Sequence, residues 1–207
     1  MVDRLKREYG DRIEVTWQAF ELRAEPAPLP PPDYPERRQR WASSVLPMAA
    51  ERGLEMRLPS IATRTRLTHQ AMELARDIDD VDHGGAFDSM HRAIFEAFFH
   101  DSRDIGNTDV LADIGQSAGI EPVRMRQALA DARYLPRVLE QEQLAHRLGV
   151  NGVPAIFVGD DLDTAEPVIG AVPYDWLQAA VDRALSGDSV EWRRRALRSA
   201  IPLKESD

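Results

Sequence analysis

Cysteine is absent from all 207 residues of the chain. Without a thiol, these residues can form no disulfide, no thiolate metal site and no cysteine nucleophile. Any reaction that depends on a protein thiol is therefore excluded for the residues given.

Long apolar runs and an excess of basic charge are also missing. No apolar stretch approaches the roughly 18 to 20 residues that span a bilayer, and the first twenty residues are charged and amphipathic, unlike a signal peptide. The formal net charge is −9 at pH 7, which opposes binding to a phosphate backbone. We therefore expect a cytoplasmic protein with neither a membrane nor a nucleic acid as its partner.

Motifs for metal chemistry are lacking as well. One acidic stretch is dense and consists of Asp77, Asp79, Asp80, Asp82 and His83. Because it lacks the glycine turn and the closing glutamate of a calcium loop, it predicts a solvated helix end. The other histidines, which show neither His-x-x-x-His spacing nor a zincin pattern, are His69, His91, His100 and His146. The sequence therefore predicts no metal site.

Serine and nucleotide chemistry are not indicated either. No Gly-x-Ser-x-Gly elbow surrounds Ser43, Ser44 or Ser60, and each is expected to lie at the surface or to cap a helix. Gly149 and Gly152 precede a strand, which reverses the order found in a dinucleotide-binding loop. We expect the chain to hold no cofactor, with glutathione as the one candidate exception discussed below.

The dominant feature of the sequence is the stretch 148–159, Leu-Gly-Val-Asn-Gly-Val-Pro-Ala-Ile-Phe-Val-Gly. Gly149 and Gly152 permit backbone angles that other residues resist, and Val153-Pro154 forces an extended start to the apolar run that follows. The proline then occupies the first position of a strand, where its missing N–H does least harm. The Val153–Pro154 bond is a candidate cis peptide.

Hydrophobic periodicity predicts most of the secondary structure. Strands are expected at 13–17 with an extension through Ala19–Leu22, at 155–158 and at 167–171, and an extended connector is expected at 26–35, where six of ten residues are proline. Helices are expected at 3–8, 36–53 (broken near Pro47), from a cap at Thr63 or Thr65 to Ile78, and at 87–100, 109–118 (capped by Thr108), 122–132, 133–148, 175–185 and 190–201. In the helix 87–100, Met90, Ile94, Phe95 and Phe98 are expected to face the core. The stripe of Phe95, Phe98 and Phe99 is a weaker candidate for lining a small-molecule pocket.

This order of elements predicts an α/β fold. Helix, strand, helical insertion, two strands and a helix follow one another as in a thioredoxin-like fold that carries a large all-helical insertion domain. We assign residues 1–35 and 146–207 to the thioredoxin-like domain and residues 36–145 to the insertion.

Several segments resemble the DsbA family of thiol–disulfide oxidoreductases. They are Trp17–Leu22 with its proline-rich exit, Ile94–Phe99, Asp104-Ile105, Val110-Leu111, Ala145–Val158 and Gly170–Pro173. The chain is most similar to the FrnE-like branch, described as predicted dithiol–disulfide isomerases, with the hydroxychromene carboxylate isomerases as a neighbouring branch.

The resemblance implies a redox site made of two halves. One half is a Cys-x-x-Cys pair at the start of the first helix, and the other is a cis-proline loop formed by Gly152, Val153 and Pro154, which would bind an extended peptide or a small thiol. The Val153 backbone would pair with that peptide. The first strand and the Cys-x-x-Cys turn are expected upstream of Met1, so dithiol exchange is impossible for the residues given.

Three interpretations stay open at this point. The start of the chain is misassigned or cut, or the chain is a shortened homologue that binds peptides or small molecules without redox chemistry, or it is an enzyme with another nucleophile. A glutathione-dependent isomerase is a further alternative, because the ligand would supply the sulfur. Without the first strand, the strands at 13–17 and 155–158 would keep unpaired edges. We therefore expect either that the two strands close the gap and pair directly or that a homodimer covers the edges.

Overall fold

The computed structural model describes residues 1–82 and 84–187. Their contacts divide the chain into two compact units. We call them the sheet unit, which contains Met1–Trp17 and the described residues from Leu148 onward, and the helical unit, Gln18–Arg147. The predicted helix at 190–201 and His83 lie outside the described residues. Within the described ranges, no helix is long and apolar enough to cross a membrane.

Most elements of the described chain are helices. In chain order they are α1 (Val2–Tyr9), a 3₁₀ turn (Gly10–Arg12), α2 (Pro35–Arg40), a π-helical turn (Trp41–Val45), α3 (Leu46–Ala50), α4 (Arg66–Asp82), α5 (Ala86–Phe99), α6 (Thr108–Ser117), α7 (Pro122–Ala130), α8 (Leu135–Arg147), β1 (Ala155–Val158), β2 (Glu166–Ile169) and α9 (Tyr174–Ser186).

The sheet unit packs α1 and α9 against a two-stranded sheet. Its buried core consists of Leu5, Tyr9, Val168, Leu177, Ala180 and Val181. Leu5 and Tyr9 stand four residues apart on one face of α1, as an amphipathic helix requires. Tyr9 also donates a hydrogen bond from its Oη to Asp182 Oδ1 of α9 at 2.6 Å. The half-buried Ile13, Ile156 and Val158 pack onto the same cluster.

The two strands pair antiparallel. Ala155 lies opposite Ile169, and the register continues to Val158 opposite Glu166. The second strand, expected at 167–171, begins one residue earlier, at Glu166.

The helical unit is organised around α4. This helix is buried on more than one side, and its buried residues are Thr68, Gln70, Ala71, Glu73, Leu74 and Ala75. From α5 the core receives Met90, Ile94 and Ala97. The expectation that Phe95 faces this core is wrong, because 52% of the residue is exposed.

Proline and asparagine set two local features of the helical unit. Pro47 stands in the first turn of α3, directly after the π-helical turn, so the predicted break near Pro47 is a local widening of a helical run. Asn107, and not the predicted Thr108, caps α6: its Oδ1 accepts the N–H of Asp109 at 2.8 Å and of Val110 at 3.2 Å.

The predicted strand at 13–17 is absent from the described residues. Ile13 has extended backbone angles (φ −134°, ψ 145°), and half-buried and exposed residues alternate through Trp17. In the described ranges the sheet nevertheless contains β1 and β2 alone. The segment therefore has the alternating pattern of a strand, but it lacks the hydrogen-bonded neighbour that a strand also requires.

The division by contacts also bears on the domain limits. It falls between Trp17 and Gln18 and between Arg147 and Leu148, so residues 18–35 group with the helical unit. The limits proposed above, 1–35 with 146–207 and 36–145, stay a prediction.

Candidate functional site

The predicted binding residues lie on an exposed loop of the sheet unit, directly before β1. Gly149 has a φ of +76°, which favours glycine, and the Val153–Pro154 bond is cis. Val153 is 53% exposed. A Cβ at Gly152 would meet no atom within 4 Å, so open space surrounds the backbone next to Val153.

The hydrogen-bonding pattern of the sheet shows which way each strand residue faces. The Gly170 N–H donates to the Pro154 carbonyl oxygen at 2.8 Å, which makes this pair a hydrogen-bonded position of the antiparallel ladder. Such positions alternate with positions that turn their backbone groups away from the partner strand. With the observed register, Ile156 and Val158 face β2, whereas Ala155 and Phe157 point their N–H and C=O groups outward.

The outward edge of β1 is free in the described part of the chain. No strand there pairs with it, and no hydrogen bond to the N–H of Ala155 or Phe157 occurs outside the two-stranded ladder. Two N–H and two C=O groups therefore stand in a row beside the Gly152–Pro154 loop. Such a row is a template for an added strand.

The outward edge of β2 is different, because it contains a proline. Pro167 lies opposite Phe157, at a position that faces away from β1. It has no N–H to offer, and edge prolines of this kind prevent pairing with further strands. Pairing is thus favoured at one edge of the sheet and hindered at the other.

A shallow groove of about 460 Å³ runs along this hindered edge, between β2 and α9. Trp176, which is 67% exposed, lies on it beside Pro167 and Ile169. Glu166 and Arg183 close it with an ion pair in which Arg183 Nη2 lies 2.5 Å from Glu166 Oε1. The residues of the Gly152–Pro154 loop do not line this groove.

Comparison with models of protein families identifies the family of this chain. The model of the DSBA-like thioredoxin domain matches residues 1–182. The chain belongs to this family. The thioredoxin-like fold with a helical insertion, predicted from the order of elements, is thereby confirmed.

Two known proteins support the assignment of this DSBA-like chain. The uncharacterized protein YwbO of Bacillus subtilis (strain 168) is 26% identical over 178 residues, which are 83% of this chain and 82% of YwbO. The crystal structure of a probable DsbA oxidoreductase from Streptomyces coelicolor superimposes with a TM-score of 0.69 at 26% identity. The superposition covers 95% of this chain and 81% of the Streptomyces chain.

The serines that the sequence offers as candidate nucleophiles do not lie at the loop. The serines considered as nucleophiles are in the helical unit, where the Oγ atoms of Ser43 and Ser44 donate to the Arg40 carbonyl oxygen. Ser60 donates its N–H to Ser102 Oγ at 3.2 Å. These contacts are structural.

Two residues of the acidic stretch, Asp77 and Asp79, form structural contacts. Asp79 Oδ1 and Oδ2 accept the N–H groups of Ala86 and Phe87 at 2.6 and 2.7 Å, which caps α5. Arg137 Nη1 lies 2.7 Å from Asp77 Oδ1. Within residues 1–82 and 84–187, no group of three or more His, Asp or Glu side chains could hold a metal ion.

The histidines lie in four different settings of the helical unit. His69 is buried in α4, His91 stacks between Phe87 and Phe95, His100 contacts Asp101, and His146 meets the Phe20 ring. The Asp101 carboxylate raises the pKa of His100 through a hydrogen bond.

Sequence reasoning locates the loop and predicts an unpaired edge for the strand at 155–158, but it does not show which residues of that edge point outward. The pattern singles out Gly152, Val153 and Pro154, whereas it assigns Ala155 and Phe157 only to a strand. The available signal was the proline at position 167. Its placement restricts which edge of the sheet can accept a further strand.

Proposed function

We propose that this DSBA-like chain binds an extended peptide segment along the free edge of β1 and performs no dithiol exchange through its own residues. The observation that carries the proposal is the row of unpaired backbone groups at Ala155 and Phe157 in a chain without cysteine. The peptide would continue past the loop, where Val153 offers an exposed apolar side chain.

The binding would be weak and would depend little on peptide sequence. Backbone hydrogen bonds contribute about 0.5–1.5 kcal/mol each, and they are available to any peptide without proline at the paired positions. Association itself costs several kcal/mol. Four such bonds therefore need apolar contacts, of which Val153 is the exposed candidate, to reach a stable complex.

The segment 13–17 supports the same proposal. It is extended, it lacks a strand partner in the described residues, and Ile13 packs on the core cluster that also contacts Ile156 and Val158. A peptide strand beside β1 would therefore share a core cluster with a second unpaired segment of the sheet unit.

Two further assignments belong to this proposal. We place the chain in the FrnE-like branch on the motifs given above, and we keep a small thiol such as glutathione as the competing ligand of the Gly152–Pro154 loop. A second copy of the chain, paired edge to edge, is the competing occupant of β1.

The test uses a fluorescent peptide from the alkylated insulin B chain, which has no free thiol. Phe157→Pro removes the outward N–H without removing a β1–β2 hydrogen bond, and Ile169→Pro does the same on the other edge, so the two variants form a matched pair. We expect at least a fivefold weaker binding for Phe157→Pro and an unchanged affinity for Ile169→Pro. Val153→Asp, at an exposed position, should weaken binding even if Phe157→Pro fails to fold.

Three results would contradict the proposal. They are equal losses in the two proline variants, saturable glutathione binding without peptide binding, and a stable dimer whose β1 edge excludes the peptide. Turnover in an insulin-reduction assay, which we expect to be flat, would contradict the exclusion of dithiol exchange.

A further inference from the structure

The helical unit buries two carboxyl groups that no role at the β1 edge requires. The Glu21 side chain is 1% exposed and the Glu142 residue 9% exposed. Burying a carboxylate is costly unless a cation or hydrogen-bond donors compensate its charge. Each of these two residues therefore needs an identifiable partner.

Segment Gln18–Leu22 lies on helix α8, which carries Glu142. The Ala19 N–H donates to Gln141 Oε1 at 2.7 Å, and the Phe20 and His146 rings lie 5.9 Å apart. Gln141 is itself oriented, because its Nε2 donates to Glu73 Oε1 at 3.0 Å. Side chains of α8 thus hold the backbone of this segment in place.

Among the described residues, one cation serves the two carboxyl groups. Arg66 Nε lies 2.7 Å from Glu21 Oε1, and Glu142 forms no ion pair with any described residue. Glu21 Oε2 and Glu142 Oε1 are both buried, and neither has a hydrogen-bond donor as long as both groups are ionised. A hydrogen bond with the Glu21 side chain is among the causes that raise the pKa of Glu142.

A single proton on one of the two carboxyl groups removes the excess of buried negative charge. If Glu142 is protonated, its hydroxyl donates to the Glu21 carboxylate, both unpartnered oxygens gain a partner, and the remaining negative charge is balanced by Arg66. A metal ion is not a substitute, since the described residues provide no group of three suitable ligands. We propose that Glu21 and Glu142 share one proton, and that this proton fastens the Gln18–Leu22 segment to α8.

The surrounding charges agree with a neutral Glu142. Burial, together with the hydrogen bond and the charge of Glu21, raises the pKa of Glu142, while Arg66 and the Glu21 backbone N–H oppose the shift. His69, on α4, does not add a cation, because burial lowers its pKa. Glu73 faces His69 and Glu25 faces Arg66, so both add negative charge to the surroundings.

The direction of the pH effect follows from this shift. A carboxyl group with a raised pKa in the folded state stabilises the fold fully below its ordinary value of 4.5, and this contribution is lost as the pH rises through the raised value. Segment Gln18–Leu22 begins at one junction of the two units, and α8 ends at the other. The shared proton therefore joins two segments of the helical unit, and each of these segments ends where the chain passes into the sheet unit.

The test compares Glu142→Gln with Glu140→Gln. In Glu142→Gln the introduced amide would donate to Glu21 as the protonated acid does, and Glu140 is an exposed residue of the same helix. In the wild type we expect the carboxyl carbon of Glu142 to titrate above the ordinary glutamate value of 4.5 by nuclear magnetic resonance. The protection of the Ala19 and Glu21 amides should fall with rising pH in the wild type and in Glu140→Gln, and stay constant in Glu142→Gln.

Two outcomes would overturn this inference. One is a Glu142 carboxyl group that titrates at or below the ordinary glutamate value of 4.5. The other is amide protection with the same pH dependence in Glu142→Gln and in the wild type. His69 is present in every variant, so its own titration cancels in the comparison. Because the titration uses the wild-type chain, it stays decisive even if Glu142→Gln does not fold.

Discussion

Asp79 belongs to the acidic stretch that the sequence offered as a candidate cation site, and in the structure it caps a helix. Both of its carboxylate oxygens accept backbone N–H groups at the start of α5. A carboxylate at this place also interacts favourably with the helix dipole. The acidic stretch that first resembled a cation site therefore contains the cap of the next helix.

Replacement of Asp79 by alanine should destabilise the helical unit by roughly 1–2 kcal/mol, because two N–H groups lose their acceptor. Asp80→Ala is the matched control, since Asp80 is exposed and its side chain forms no hydrogen bond with a described residue. Urea unfolding followed by circular dichroism measures the difference. Equal midpoints for the two variants would show that the cap contributes nothing.

His69 predicts a loss of stability in acid. Burial lowers its pKa from the ordinary value of 6.5, against the charges of Glu21 and Glu73 and a hydrogen bond with the Phe20 backbone. A histidine of this kind is neutral in the fold, so its contribution is complete above pH 6.5 and is lost as the pH falls through the lowered value. The free energy of unfolding of the wild type should therefore decrease over that range.

The matching experiment measures urea unfolding of His69→Gln and His146→Gln between about pH 7 and pH 5, which spans the ordinary histidine range. We expect a shallower decrease of stability for His69→Gln and the wild-type slope for His146→Gln, whose side chain is exposed. A wild-type slope in both variants would assign the acid sensitivity to other groups.

At the scale of elements, the helices were predictable and the strand at 13–17 was not. Apolar spacing, start signals such as Pro122 and stop signals such as Gly10 fix helices through contacts within a few residues. A strand depends on a neighbour that is remote in sequence, so alternation at Ile13, Val15 and Trp17 predicts exposure but not pairing.

The parts of the candidate site also differ in how far they could be predicted from the sequence. The Gly152–Pro154 loop was predictable because glycine and proline act locally. An unpaired edge at 155–158 was also expected, but the outward direction of the Ala155 and Phe157 backbone groups was not predictable, since it follows from the register with β2. Glu142 left a weak signal, a charged residue four positions after the buried Val138, where helical periodicity calls for an apolar side chain.

Pro167 gives a prediction for the strand β2. Pro167→Val restores an outward N–H at the second edge of the sheet, so this variant should self-associate more readily than the wild type. Pro28→Val, in the proline-rich connector, is the control for replacing an exposed proline. Light scattering over a concentration series measures the effect, and identical curves for the two variants would mean that Pro167 does not protect the edge.

For the molecule as a whole, the net charge of −9 should influence which peptides associate fastest. Long-range attraction favours basic peptides at low ionic strength, and it is largely screened once the Debye length falls to about 8 Å near 0.15 M salt. A lysine-rich and a glutamate-rich version of one peptide should therefore differ in association rate at low salt and converge at high salt. Rates measured by stopped-flow fluorescence that show no such convergence would contradict this expectation.

Amide hydrogen exchange with and without a saturating peptide tests the binding edge most directly. Binding to β1 should slow exchange at Ala155 and Phe157, whose N–H groups point outward, and leave Ile156 and Val158 nearly unchanged, since these already face β2. Unchanged exchange at Ala155 and Phe157, or slowing at Ile169 on the opposite edge, would contradict peptide binding along β1.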